Sequence, residues 1–282
     1  MEVVKVHYKR GLVKMMDIYG TTKIVQDKNI DILITSKVLF SSKMPDRFVT
    51  QKRFIHSYGK TLVIDLDQPE DQIWAGVHKN ARYKINRASK RDPIHYYELT
   101  QPTNEEIQDF IGFFDKFAKH KKLPKGNTER LQHLRDQDAL IISYIKDEEG
   151  NTLCYHAYVK NEAYCSLLFS ASARFENSTI RNMIGRANRY LHWQDIKSFR
   201  NMGHKWFDFG GLFVGALEEG EEHINRFKQE FGGIAVDVDK KIYPLTLVGR
   251  ITAFLFWVKI RKRPEFLRAR TLQRNRWDLS KN

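Results

Sequence analysis

The chain has 282 residues, 41% of them hydrophobic, which is enough for one large or two smaller domains with a substantial core. Its 48 Lys and Arg residues outnumber its 34 Asp and Glu residues, and the net charge of +14 indicates either an anionic partner or a surface adapted for solubility. No run reaches the roughly 18 apolar residues of a membrane span, the N-terminus lacks a signal-peptide core, and Cys154 and Cys165 have no metal or redox spacing. These features exclude a helical membrane protein and predict a cytoplasmic one.

Residues 1–70 form a first segment with short predicted strands. The apolar runs Asp31–Thr35, Arg47–Ser57 and Thr61–Asp65 are separated by turn residues. Because this segment is too small to fold well alone, we expect it to be a truncated N-terminal subdomain.

Residues 71–244 are predicted to form the main domain, with an α/β order of elements. Thr103 and Glu106 have the spacing of a capping box at the start of a helix. The predicted elements, in chain order, are a helix at 69–90, a strand at 94–98, helices at 103–120 and 128–135, three hairpin-linked strands at 139–146, 152–160 and 163–173, a long helix at 177–201, a strand around 208, a helix at 221–231 and a strand at 234–238. This order predicts a mixed, mostly antiparallel sheet flanked by helices.

The first helix of this domain has one apolar and one basic face. At 100° per residue, the apolar face carries Ile73, Trp74, Val77, Ala81, Ile85 and Ala88, and the opposite face carries Lys79, Arg82, Tyr83, Asn86, Arg87 and Lys90. A solvated face usually includes Glu for i,i+4 pairing, whereas residues 72–91 contain six basic residues and no acid. The pattern therefore favours binding of a phosphate-bearing ligand by Lys79, Arg82, Tyr83 and Arg87 over a merely solvated face.

A second candidate site is the segment Trp206-Phe-Asp-Phe-Gly-Gly-Leu212. Asp208 is the one charge in an apolar strand, so it is either hydrogen-bonded in place or poised for chemistry. Gly210 and Gly211 form either an ordinary turn or a close approach of backbone to ligand. The helix that follows carries Phe227 and Lys228 and is stopped by two glycines.

Three segments together resemble the FemAB-like branch of the Gcn5-related N-acetyltransferase (GNAT) superfamily. They are Trp74-Ala-Gly-Val-His-Lys-Asn-Ala-Arg-Tyr-Lys-Ile85, the block from Gly203 to Gly211, and Ile224–Lys228 with Phe231-Gly232. The resemblance extends from Ile73 to Val238 and implies a GNAT acyltransferase fold with a truncated N-terminal GNAT-like half. It also implies transfer of an aminoacyl group from tRNA to an amine of a peptidoglycan precursor.

The loop that holds the donor in the coenzyme-A branch contains glycine, because backbone amides at a helix start bind the diphosphate. The matching region, Ser172–Thr179, contains none. Its composition favours aminoacyl-tRNA over acyl-CoA as the donor co-substrate, and no tightly bound cofactor is expected.

The resemblance and the chemistry of acyl transfer give the candidate residues their roles. Lys228 would stabilise the tetrahedral oxyanion, and Asp208 would orient the acceptor amine or take its proton. Phe227 would keep water out. An ordinary surface lysine and a structural strand-end carboxylate remain the alternatives.

Other motifs do not support a different chemistry. Asp208-Phe-Gly lacks the accompanying kinase motifs. His192 and His204 have no zinc-site spacing, so no metal is expected, and His192-Trp193 is predicted to be a packing pair.

Residues 245–282 are predicted to form an apolar and then basic C-terminal helix and tail. Leu245–Val258 is strongly apolar, and residues 259–276 contain eight basic residues and one acid, Glu265. The helix either packs on the domain, or residues 245–276 bind an anionic membrane surface or RNA. The sequence does not separate these alternatives.

Three functions remain open, of which the first is favoured. They are aminoacyl transfer from tRNA to a phosphorylated or lipid-linked cell-envelope precursor, N-acylation of an amino-sugar of a surface polysaccharide by an acyl thioester, and a non-catalytic RNA- or membrane-binding module. The protein is expected in the cytoplasm, either free or peripheral at the inner face of the plasma membrane. The oligomeric state is not indicated.

Overall fold

The computed structural model describes residues 3–21, 27, 29–40, 54–173 and 178–279, with side chains to residue 272 except that of Ser178. The strands in this part of the chain are β1 (Val4–Arg10), β2 (Val13–Tyr19), β3 (Ile32–Leu39), β4 (Ile55–Asp65), β5 (Ile94–Leu99), β6 (Leu140–Asp147), β7 (Thr152–Asn161), β8 (Tyr164–Ser172), β9 (Trp206–Leu212) and β10 (Ile234–Pro244). The helices are α1 (Glu70–Gly76), α2 (Lys79–Arg91), α3 (Asn104–Lys121), α4 (Thr128–Asp136), α5 (Ser178–Asn201), α6 (Glu219–Gln229), α7 (Leu247–Ile260) and α8 (Pro264–Leu279).

The chain divides into two compact units. The first contains residues 1–62, 211–225 and 235–282, and the second contains residues 63–210 and 226–234. These units group the chain differently from the three segments drawn from composition, which stay a prediction.

The first unit is built on strands from both ends of the chain. Its strand order is β1-β2-β3-β10-β4, with β2 and β3 parallel and the pairs β1–β2 and β3–β10 antiparallel. Met16, Ile18, Leu33 and Tyr243 are buried together in its core. Strand β3 therefore pairs with residues about 200 positions later in the chain.

The second unit contains the predicted α/β arrangement. Its strand order is β9-β8-β7-β6-β5, in which β8 and β9 are parallel and the pairs β7–β8, β6–β7 and β5–β6 are antiparallel. Helix α5 packs against β7, β6, β5 and α2. The three hairpin-linked strands, the long helix and the capping box of Thr103 with Glu106 are confirmed. The mixed, mostly antiparallel sheet flanked by helices is likewise confirmed.

The structure corrects four details of the sequence-based elements. Strands β1 and β2 were not predicted, although Val4, Val6 and Tyr8 alternate on the buried face of β1. The two runs proposed at 47–57 and 61–65 overlap one strand, β4, and residues 47–53 lie outside the described part. Strand β10 is longer than predicted and ends at Pro244. The basic segment after α7 is a second helix, α8, and not a tail.

The helix predicted over residues 69–90 is interrupted and forms α1 and α2. Val77 and His78 are extended, and the His78 imidazole accepts a hydrogen bond from the Asn80 backbone N–H at the start of α2 (3.4 Å). The His78 backbone N–H donates to the Glu230 carbonyl oxygen at 2.7 Å. A tertiary contact thus satisfies a donor that a continuous helix would have bonded internally. The apolar side is buried as predicted at Ile73, Val77, Ala81, Ile85 and Ala88.

Both cysteines are free and buried in the second unit, Cys154 on β7 and Cys165 on β8. Burial raises the pKa of the Cys154 thiol to about 12 and raises the pKa of Cys165 well above its usual value. Neither thiol is therefore a nucleophile at neutral pH.

Helix α7 lies in close backbone contact with the chain that precedes β3. The Thr246 hydroxyl donates to the Asp31 carboxylate (2.5 Å), and the Leu245 N–H donates to the Asp31 carbonyl oxygen (2.8 Å). A Cβ on Gly249 would overlap that same carbonyl oxygen. Glycine is required at residue 249 because no side chain fits there.

We expect Gly249→Ala to lower the free energy of unfolding by about 1–3 kcal/mol, because the added methyl group must push α7 away from Asp31. Gly112→Ala is the matched control, since a Cβ on Gly112 of α3 would meet open space and alanine is the better helix former by up to about 1 kcal/mol. Urea denaturation of both variants measures the difference. Equal stabilities would show that α7 is not held at this contact.

Candidate active site

Asp208 lies on β9 with 4% of its surface exposed and is held by three donors. One carboxylate oxygen accepts from the Gly210 backbone N–H at 2.7 Å. The other accepts from the Ser166 hydroxyl at 3.1 Å and from the Tyr164 hydroxyl. Burial raises the pKa of Tyr164 well above its usual value, and the Asp208 charge adds to this effect. Tyr164 therefore stays a neutral donor, and the carboxylate is fixed at the end of the strand.

The turn after Asp208 depends on Gly210. Its φ of +75° is in the left-handed region, and a Cβ there would lie 3.2 Å from the Leu167 carbonyl oxygen. The Gly210 carbonyl oxygen accepts a hydrogen bond from the Lys228 ammonium at 3.3 Å. The structure therefore brings together Asp208, Gly210 and Lys228, three of the residues proposed from sequence, and Gly211 follows directly.

Lys228 is a half-buried lysine on α6. Burial lowers its pKa from 10.5 to about 8, while the nearby Asp208 carboxylate acts in the opposite direction. The charged form is therefore close in free energy to the neutral form near physiological pH. A lysine placed in this way is unlike an ordinary surface lysine, whose pKa is close to that of the free side chain.

Aromatic rings line the neighbouring part of the second unit. The His192 ring lies 4.9 Å from Phe209, 5.6 Å from Phe227 and 5.4 Å from Phe231, measured between ring centres. The Arg189 guanidinium lies 4.7 Å from the centre of the Phe227 ring. These rings form an aromatic cluster that includes Phe227, whose role in keeping water out stays a prediction.

His192 is buried and electrically neutral. Burial lowers its pKa well below 6.5, and His156, Lys228 and Arg189 lower it further. Its Nδ1 atom has no hydrogen-bond partner among the described residues. Trp193 is also buried and packs on Trp74 with 4.6 Å between ring centres, so the predicted packing role of the His192-Trp193 pair is confirmed.

A buried hydrogen-bond network next to His192 was missed from the sequence. His156 contacts Asp195 through Nδ1 at 2.8 Å and Asn188 through Nε2 at 3.0 Å. Asp195 also accepts from the hydroxyl groups of Tyr158 at 2.6 Å and Tyr96 at 3.2 Å. The partners in these four bonds are 32 to 99 positions apart in the chain, so no local spacing could have revealed the network.

His156 and Asp195 of this network, together with the neighbouring His192, are residue types that can bind a metal ion. Potential ligand atoms of His156, His192 and Asp195 lie within 4.8 Å of one another. Both ring nitrogens of His156 and both oxygens of Asp195 already have hydrogen-bond partners. All four atoms are thus within hydrogen-bond distance of protein groups without an ion, which fits a hydrogen-bond network better than a metal centre. The absence of a metal stays a prediction.

The residues of the basic face of α2 lie in two different settings. Lys79, Tyr83 and Arg87 are exposed, with 62% of the Tyr83 surface accessible. Arg82 is half-buried, and its guanidinium donates to the carbonyl oxygens of Trp74 and Ala75 at 3.5 and 3.4 Å. Arg82 therefore caps the end of α1, whereas the other three are accessible to a ligand.

A cavity of about 430 Å³ lies in the first unit. It is lined by Phe54, Ile55, Pro244, Arg250, Ala253, Phe254 and Trp257. The last four belong to the segment 245–276 proposed to bind a membrane or RNA, and none of the candidate catalytic or substrate-binding residues lines the cavity. Among the described residues, no helix has both the length and the apolar composition to cross a bilayer.

No protein-family model and no curated protein matches the sequence. Solved structures do match, beginning with FemX, at 11% identity over 92% of this chain and 86% of that chain with a TM-score of 0.55. L-PGS from Bacillus licheniformis matches at 13% identity over 93% and 87% with a TM-score of 0.54. The C-terminal domain of a putative lysylphosphatidylglycerol synthetase from Agrobacterium fabrum matches at 9% identity over 92% and 85% with a TM-score of 0.53.

The chain therefore has the fold of FemX, of L-PGS and of the domain from Agrobacterium fabrum. The predicted GNAT fold, in its FemAB-like form, is confirmed at the level of the fold. The roles of individual residues stay predictions.

We expect Lys228→Met to raise the free energy of unfolding at pH 7 by about 1–3 kcal/mol, because each unit of lowered pKa costs about 1.4 kcal/mol and partial exposure reduces the effect. Below pH 8 the lysine is charged in both the folded and the unfolded state, so the cost is complete. Between pH 8 and 10.5 the folded lysine loses its proton first and the cost disappears.

Urea denaturation at pH 7 and pH 10.5 measures this gain and its loss. Lys119→Met, at an exposed position of α3, is the control and should change stability little at either pH. A Lys228→Met variant less stable than wild type at pH 7 would mean that the ammonium has a structural role.

Proposed function

We propose that the protein is an acyltransferase of cell-envelope biosynthesis that transfers an aminoacyl group from tRNA to an amine of a peptidoglycan precursor. The observation that carries this proposal is the half-buried Lys228 ammonium, bonded to the glycine turn after Asp208 and with a lowered pKa. Burial of this charge lowers the stability of the fold, as expected for a group that is kept for catalysis. The fold shared with FemX and with a protein named as a lysylphosphatidylglycerol synthetase supports aminoacyl transfer in the envelope.

In the proposed reaction, the acceptor amine attacks the carbonyl carbon of the aminoacyl ester. A C–N bond forms, the carbonyl oxygen becomes an oxyanion, and the ester C–O bond then breaks, with the amine proton passing to the leaving hydroxyl of the tRNA. The Lys228 ammonium stabilises the oxyanion, and its poor contact with water strengthens that interaction. Phe227 and the neighbouring rings keep the site dry.

Asp208 would orient the amine or take its proton. Its three existing donors favour an orienting role, because a proton acceptor needs a free lone pair directed at the substrate. Its charge also keeps the Lys228 pKa higher than burial alone would allow. Asp208 therefore acts in part through Lys228, as a positioning residue. Gly210 and Gly211 allow the backbone to approach the substrate closely.

The exposed residues of α2 are proposed to bind the phosphorylated or lipid-linked acceptor. Lys79, Tyr83 and Arg87 offer two cations and an aromatic ring with no acid on the helix. Arg82 contributes indirectly, by holding the end of α1.

The donor is proposed to be aminoacyl-tRNA because residues 172–179 lack the glycines of a coenzyme-A loop. Such a donor implies that the enzyme works in the cytoplasm. Part of this loop, residues 174–177, lies outside the described residues.

The donor assay that tests the proposal incubates the full-length protein separately with labelled aminoacyl-tRNA and labelled acyl-CoA, with an amine-bearing muropeptide precursor. We expect label transfer from tRNA, and a loss of roughly 10²–10³ in kcat for Lys228→Ala, as for removal of one oxyanion donor. The kcat of wild type should fall above pH 8, where the Lys228 ammonium loses its proton.

Two further variants make this test specific. The arginine of Lys228→Arg stays charged at all working pH values. The kcat of this variant should therefore not fall above pH 8, even where it is lower than that of wild type. Asp208→Asn removes a charge that raises the Lys228 pKa, so the fall should move to lower pH. Label transfer from acyl-CoA alone would show that acyl-CoA, and not aminoacyl-tRNA, is the donor. A Lys228→Ala variant whose kcat is within a fewfold of wild type would show that Lys228 has no role in the mechanism.

We expect Arg87→Ala to raise the KM for a phosphorylated acceptor more than it lowers kcat, because phosphate binding contributes equally to the ground and transition states. The effect should shrink as salt is added, since an exposed charge is screened. Lys119→Ala, which removes an exposed charge from α3, is the matched control. Equal KM values for the two variants would show that the α2 face is only solvated.

A further inference from the structure

Helix α7 has apolar side chains on the face that points away from the protein. Gly249, Ala253 and Ile260 are its buried residues. At 100° per residue, six large apolar residues occupy an arc of about 120° centred opposite that buried face. Each is 44–71% exposed: Leu247, Val248, Ile251, Phe254, Leu255 and Val258, called here the apolar stripe.

The orientation of α7 is fixed by its contacts with the first unit. The hydrogen bonds of Thr246 and Leu245 to Asp31 and the absence of a side chain at Gly249 place one face of the helix against the protein backbone. Rotating the apolar stripe inward would bring larger side chains to the position that only glycine fits. The exposure of the stripe is therefore a property of the fold.

The residues around the apolar stripe are basic. From Leu245 to Arg263 the chain has five basic residues and no acid. All five, namely Arg250, Lys259, Arg261, Lys262 and Arg263, are exposed. The Arg261 guanidinium lies 5.4 Å from the centre of the Trp257 ring, an arrangement suited to a surface between water and lipid.

We propose that α7 lies flat on an anionic bilayer, with the apolar stripe among the acyl chains and the surrounding basic residues at the lipid phosphates. A helix of 14 residues is about 21 Å long, too short to cross the roughly 30 Å hydrocarbon core, so it lies in the interface. The charge favours lipid over a second copy of this chain, because a symmetric contact through the stripe would bring the basic residues of both copies together. This proposal does not depend on the acyltransferase activity.

Sedimentation of the full-length protein with vesicles of phosphatidylcholine, alone or with a quarter phosphatidylglycerol, tests the proposal at low and high salt. We expect binding to the anionic vesicles that weakens as salt rises. Phe254→Glu with Leu255→Glu should reduce this binding at least tenfold, because both side chains are more than half exposed and would carry charge into the acyl region. Leu12→Glu, at an exposed apolar residue of the β1–β2 turn, is the matched control and should bind as wild type does.

A charge variant measures how much the basic residues around the apolar stripe contribute to vesicle binding. Lys259, Lys262 and Arg263 changed together to Gln should weaken binding by roughly 100-fold, about fivefold for each basic residue near the surface. Changing Lys116, Lys119 and Lys121 of α3 to Gln removes the same charge elsewhere and should have a much smaller effect. Ile251→Glu is a second stripe variant, used where the double variant folds poorly.

Three results would overturn the proposal. They are wild-type protein that ignores anionic vesicles at low salt, stripe variants that bind them as tightly as wild type, and a wild-type dimer that the stripe variants lose without any vesicle binding. Binding of tRNA that is lost in the charge variant but kept in the stripe variants, without vesicle binding, would assign the basic residues to RNA instead.

Discussion

The candidate active site depends on a close approach of backbones at Gly232 and Gly233. Both glycines have positive φ, +79° and +85°, and Cβ atoms there would overlap the carbonyl oxygens of Gly76 and Val63. Because no side chain intervenes, the segment after α6 lies directly against the end of α1. The bond from the His78 N–H to the Glu230 carbonyl oxygen closes the same contact. This contact lies between the end of α1 and the start of α2 at Lys79, and it holds the chain at Glu230, two residues after Lys228.

The site is organised before any substrate binds. Asp208 is held by three donors and Lys228 by the Gly210 carbonyl oxygen, so neither group must be reoriented from water during a reaction. The aromatic contact of His192 with Phe209 and the bond of His156 to Asp195 connect α5 to strands β9 and β7 next to this site. Stable packing around the site offsets the free energy that is lost by keeping the Lys228 charge partly away from water.

The sequence predicted those features whose signals are local. The capping box of Thr103 and Glu106, the hairpins of β6 to β8 and the glycine stop of α6 each depend on residues a few positions apart. The alternation in β1 was also local, and it was overlooked. The break between α1 and α2 has no comparable signal, because its partner Glu230 is about 150 positions away.

The site itself was predictable only in part. The resemblance to the FemAB-like branch drew attention to Asp208 and Lys228, and the structure adds that Gly210 is hydrogen-bonded to both of them. Burial of Lys228 and the hydrogen bonds of Arg82 to α1 follow from tertiary packing, which residue type and spacing do not encode. The outward apolar stripe of α7 was visible as composition, but its direction needed the contact of Gly249 with Asp31.

The two buried thiols have a practical consequence. Cys154 and Cys165 are the only cysteines of the chain, and burial keeps both protonated and out of reach of reagents. Thiol reagents should therefore not label the unmodified sequence. A cysteine introduced at an exposed position would be the single site that a maleimide fluorophore or spin label modifies, without prior removal of native residues. Each helix can therefore be labelled and studied by spectroscopy without first replacing Cys154 or Cys165.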